Sequence, residues 1–76
     1  MKATDNLDYE IRLVKTWQLR GNRRANRKRT TVYVLRTYTA GQLVKNGDRS
    51  DRSINQFRIK QRLREIAELE GLTVIE

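Results

Sequence analysis

Residues 8–19 read DYEIRLVKTWQL, and their period of two decides the fold. Tyr9, Ile11, Leu13, Trp17 and Leu19 fall on one face; Asp8, Glu10, Arg12, Thr16 and Gln18 fall on the other, joined by Val14. Such alternation predicts a strand with one buried face. Lys15 interrupts the apolar face, where a lysine lays its stem on a core and lifts its ammonium into water. Trp17 is expected on that face as a core residue, the alternative being a platform on which a base stacks. The strand is long for a chain of 76 residues, so its far end is expected to stand beyond the core.

Residues 30–40, TTVYVLRTYTA, are rich in the β-branched and aromatic side chains that suit a pleated surface. Val32, Val34 and Tyr38 compete there with Tyr33 and Leu35, so both faces of this second strand are expected to be partly covered. The two segments lie close enough to pair as an antiparallel ribbon without a crossover. Residues 20–29, RGNRRANRKR, then close the ribbon. They hold no acid and no large apolar side chain, and a compact domain cannot bury such a run, because each unpaired charge loses its hydration. The run must project into water or onto an anionic partner.

Beyond the ribbon, residues 42–45 suit a short third strand, Asn46-Gly47 is a turn signal, and the stretch up to Arg52 is polar. Ser53 and Gln56 make a capping box, so a helix is predicted over residues 54–70. Ile59, Leu63, Ile66 and Ala67, with Leu69 on the margin, form its apolar stripe; Ile54 and Phe57 lie off the stripe, against the incoming loop. Gly71 suits the helix end, and residues 72–75, LTVI, read as a short edge strand. Residues 1–7 are small and polar, the pattern of a flexible arm. The fold predicted is α+β: a two- or three-stranded antiparallel sheet on one C-terminal helix, with a short terminal strand, as one domain over residues 8–76.

A strand pair followed by one helix resembles, in outline, the small arm-binding domains of some site-specific recombinases. The ending LREIAELEGLTVIE is similar to the helix-Gly-strand ending of small basic phycobilisome linkers. No residue role is carried over from either.

Composition narrows the function. With 17 basic against 9 acidic residues the net charge is +8, which favours polyanionic partners. Cysteine and histidine are absent, which removes disulfides, the usual zinc sites and the commonest general base, and leaves no cofactor expected. The first ten residues lack an apolar h-region and carry acids, unlike a signal peptide, and no apolar run approaches the ~18 residues of a membrane span. A Cys-free basic domain fits the cytoplasm. No P-loop, dinucleotide fingerprint or nucleophile motif is present. The acid pairs Asp48/Asp51 and Asp8/Glu10 look like surface or turn residues, so no enzyme is expected.

The candidate site is therefore the basic run, Arg20, Arg23, Arg24, Arg27, Lys28 and Arg29, joined by Arg52, Arg58 and Arg62 around the helix start. Lysines and arginines release counterions from phosphates, and arginine adds bidentate contacts. The helix carries its bases first and its acids last, against the macrodipole, as if those cations served a phosphate backbone; Arg62 with Glu65 and Arg64 with Glu68 would offset part of the cost. The function predicted is nucleic-acid binding, DNA preferred over structured RNA. The alternatives are a solvated loop, or a small adaptor or inhibitor docking on an acidic protein. A homodimer through exposed strand edges is compatible with this sequence.

Overall fold

The computed structural model describes residues 1–21 and 27–76. The strands are β1 (Lys2–Thr4), β2 (Tyr9–Arg20), β3 (Lys28–Thr39), β4 (Gln42–Lys45), β5 (Arg52–Ser53) and β6 (Thr73–Ile75), with one helix, α1 (Gln56–Glu70). They form an antiparallel sheet in the order β4-β3-β2-β1-β6, with β5 pairing β3. The fold is α+β as expected, but two or three strands understates the sheet, which has six. The strands not expected, β1 and β5, are three and two residues long, too short for a periodic pattern, whereas β6 is the short terminal edge strand expected at residues 72–75.

The expected flexible arm is the largest of these corrections. Residues 2–4 are β1, inserted between β2 and β6, and Ala3 is completely buried between Ile11 and Val74. The signal was local and polar. The Asp5 carboxylate accepts from the Leu7 and Tyr9 amides, Thr4 Oγ1 donates to the Tyr9 carbonyl at 3.0 Å, and Asn6 takes a left-handed φ of 65°. These are the acts of turn-forming Asp, Asn and Thr side chains. Residues 2–4 are thus part of the sheet rather than an arm outside it.

α1 starts two residues later than the capping box implies. Asn55 is the cap, its Oδ1 accepting from the Phe57 amide at 3.0 Å, while Ser53 belongs to β5 and its Oγ accepts from the Asn55 amide. Asn caps as well as Ser. At the other end Gly71 takes φ 68°, and the amides of Gly71 and Leu72 both donate to the Ala67 carbonyl, as a glycine-terminated helix does.

Ile59, Leu63 and Ala67 face the sheet and meet Ala3, Ile11 and Leu35 in one core, with Ile66, Tyr9 and Leu13 at its margin. Leu69, Ile54 and Phe57 are exposed, so the incoming loop does not cover the last two. Val32 and Val34, on the opposite face of β3, are also buried; they share a shallow depression with Thr16, Gln18 and Arg52.

β2 and β3 pair without a break from Tyr9 opposite Thr39 to Arg20 opposite Lys28. Each has 12 residues, about 40 Å of strand. The 15 residues of α1 span only about 22 Å. The helix covers the near half of the ribbon, and the far half extends past it, giving the molecule a 46 Å long axis against 24 and 18 Å. Trp17 and Leu19 lie on this far half and are 52% and 54% exposed. Trp17 is on the face predicted, yet it is not a core residue, because among the described residues no helix or strand covers that part of the face.

Candidate nucleic-acid interface

The ribbon end carries Arg20 on β2 and Lys28 and Arg29 on β3, with Arg27 just before β3; all are exposed. Arg20 and Lys28 are cross-strand partners, so alternation puts them together on the face away from α1. Arg29 lies opposite Leu19 on the helix-side face, where its guanidinium stacks over the Trp17 ring at 4.4 Å from the centroid. Arg23 and Arg24 lie outside the described residues.

A second group of cations gathers where β5 meets β3. Asp48 starts a 3-10 turn (Arg49–Asp51) that leads into β5. The turn places Arg49 beside Arg52, and the helix that follows brings Arg58 and Arg62, one turn apart, to the same hollow. This depression, of about 450 Å³, is lined by Arg49, Arg52, Arg58, Arg62, Ser53 and Gln61, among others. A second, of about 620 Å³, is lined by Gln18, Arg20, Val32, Arg49, Arg52 and Ser53. Because the two share Arg49, Arg52 and Ser53, one basic trough runs from the ribbon to the start of the helix. It brings together Arg20, Arg52, Arg58 and Arg62, all singled out in the sequence, and adds Arg49. Arg49 reads from sequence as part of a polar stretch; its three-residue spacing from Arg52 was the available clue.

One carboxylate, Glu65, also lines the first depression. Between Glu10 and Asp48 the chain has no acid at all. Glu10 pairs with Lys2 and Arg12, whose Nε donates at 2.6 Å, and these partners hold its carboxyl below the usual range, Arg12 foremost. Asp48 accepts from the Ser50 hydroxyl at 2.7 Å and the Ser50 amide at 2.9 Å, with Lys45 nearby, and its pKa is lowered to about 2. Buried Asp51 faces Arg62 Nε at 3.6 Å and Lys45 Nζ at 3.9 Å. Arg62 also meets Glu65 at 3.8 Å. It is thus partly a structural cation, the least available of the predicted site residues. Arg64 pairs with Glu76 instead of Glu68. No acid lies in the first turn of α1 and no base in its last, so the helix start adds its positive dipole end to the trough.

Among the described residues, Arg20, Arg27, Lys28, Arg29, Arg49, Arg52 and Arg58 have no carboxylate partner. The same residues include no helix long and apolar enough to cross a membrane. Comparison with known protein families, curated proteins and solved structures gives no match to this chain.

Proposed function

We propose that this protein binds nucleic acid, DNA in preference to RNA, by gripping phosphates with the ribbon end and the adjoining trough. One observation carries the reading: seven exposed cations without carboxylate partners lie along the far ribbon and the β5–α1 junction, while every acid lies outside the stretch between Glu10 and Asp48. Self-repulsion of this kind costs stability unless a polyanion relieves it. Phosphates spaced along a backbone suit cations spaced along a trough, and each neutralised phosphate releases counterions. Arginine is the commoner base here, and its planar fork meets phosphate oxygens bidentately.

The test is a labelled DNA duplex titrated with wild type and with Arg49→Ser/Arg52→Ser/Arg58→Ser. The variant is expected to bind more weakly on all sequences alike and to lose roughly 2–3 units of salt slope, with its fold intact because the three side chains are exposed. Equal affinity and equal slope would remove the trough from the interface.

A second reading has its own support. Phe57, 73% exposed, and Ile54 project beside the trough, the aromatic anchor and basic rim that docking on an acidic protein uses. Absence of binding to any nucleic acid at low salt would make this adaptor reading the leading one.

A further inference from the structure

Resting on the nucleic-acid reading, we propose that Trp17 and Arg29 form a stacking platform for an unpaired nucleobase on the helix-side face of the ribbon. Trp17 projects from a strand whose pairing is unbroken on the β3 side, so its backbone is fixed. The Arg29 guanidinium holds the indole at 4.4 Å, a cation–π contact that restrains the ring before any ligand arrives. The part of Trp17 that Arg29 leaves open is in water, 52% of the residue. An ordered, half-open indole between cations is what single-strand binders use: the ring stacks a base and the cations track the flanking phosphates. Here Lys15 and Arg29, on the same face as Trp17, supply those cations.

The surroundings argue for this occupant. No acid lies on the far half of the ribbon, so the same patch on a second copy would be repelled. Among the described residues, Leu19 is the only other large apolar side chain exposed on this far face, which leaves little apolar area for inserting into a lipid surface. A base with its phosphate satisfies ring and charge at once. Duplex DNA, whose bases are stacked on one another, engages the phosphate grip alone.

Trp17 is the single tryptophan, so its emission reports the site directly. The full chain is titrated with oligothymidylate, with an abasic deoxyribose-phosphate oligomer of equal length, and with anionic phosphatidylglycerol vesicles. Expected are a red-shifted free emission, strong quenching by oligothymidylate and little by the abasic oligomer. By anisotropy of labelled oligomers, Trp17→Ala loses about 5- to 150-fold in affinity for oligothymidylate and little for the abasic oligomer, and Trp17→Phe recovers most of the loss. If both oligomers bind equally, without quenching and without a Trp17→Ala effect, the platform is overturned and the phosphate grip stands. If no oligomer binds at low salt, the nucleic-acid reading falls and the platform with it. Tighter binding to the vesicles, with a blue shift of Trp17, would overturn the platform in favour of a lipid surface.

Discussion

The two halves of the β2–β3 ribbon have the same secondary structure, register and alternation, and opposite fates. On the near half, Ile11 and Leu35 are buried under Ile59, Leu63 and Ala67. On the far half of the same face, Trp17 and Leu19 stand in water among cations. Strand periodicity assigns a side chain to a face; it does not supply the layer that covers that face. The covering layer here is one helix about half the length of the strands it lies on. Folding stability therefore sits on the near half, and the far half carries charge at almost no cost to the core. All the carboxylates that pair with cations lie at the near half or along its connections.

The largest effect that sharpens this contrast comes from truncating one residue over each half. Leu63→Ala removes a fully buried side chain and is expected to cost about 2–5 kcal/mol, seen as a large fall in Tm. Trp17→Ala, although it deletes a larger side chain, is expected to change stability by no more than about 0.5 kcal/mol. Comparable losses for the two would mean that the far half is covered after all.

Glycines grade the next effect. A Cβ on Gly47 would meet the Leu35 carbonyl oxygen at 2.7 Å, and its φ is +54°. Gly47→Ala, pressed on the near half, is expected to cost about 1–3 kcal/mol. Gly71, φ +68°, has nothing within 4 Å of such a Cβ, so Gly71→Ala should cost only about 1 kcal/mol. Denaturant midpoints of the two variants check the order.

Acid gives the smallest and most graded response. Glu10, Asp48 and Glu76 are held below their ordinary pKa values chiefly by hydrogen bonds from Arg12, Ser50 and Arg64 respectively. The folded state thus favours their charged forms. Their contribution is complete above the ordinary carboxylate range and is lost as pH falls through the lowered values, for Asp48 between 3.8 and about 2. Without histidine, stability and polyanion binding are both expected to be flat from about pH 6 to 9. Thermal melts across pH 2–9 test this, and a transition near neutrality would contradict it.

Much of this was legible in sequence where patterns were long. β2, β3 and the stripe Ile59, Leu63, Ala67 follow directly from periods of two and near four. β1 was not legible, because Ala3 is small and its strand too short to alternate; its burial depends on the turn built by Thr4, Asp5 and Asn6. Trp17 was placed on the right face and given the wrong environment, since helix length against strand length decides cover. For the site, the run ending in Arg27, Lys28 and Arg29 announced itself by composition. The trough did not, because Arg49 meets Arg58 only through the 3-10 turn and β5.

The central claim is that the uncompensated cations of the ribbon end meet phosphates. The direct test is the salt dependence of wild-type binding to duplex DNA, beside Arg20→Gln/Arg27→Gln/Lys28→Gln. The account predicts a slope of log K against log salt of roughly −4 to −5, or steeper with the trough engaged, and a variant flatter by about 2–3 units with an unchanged melt. A wild-type slope near zero, or a variant that keeps both affinity and slope, would contradict it.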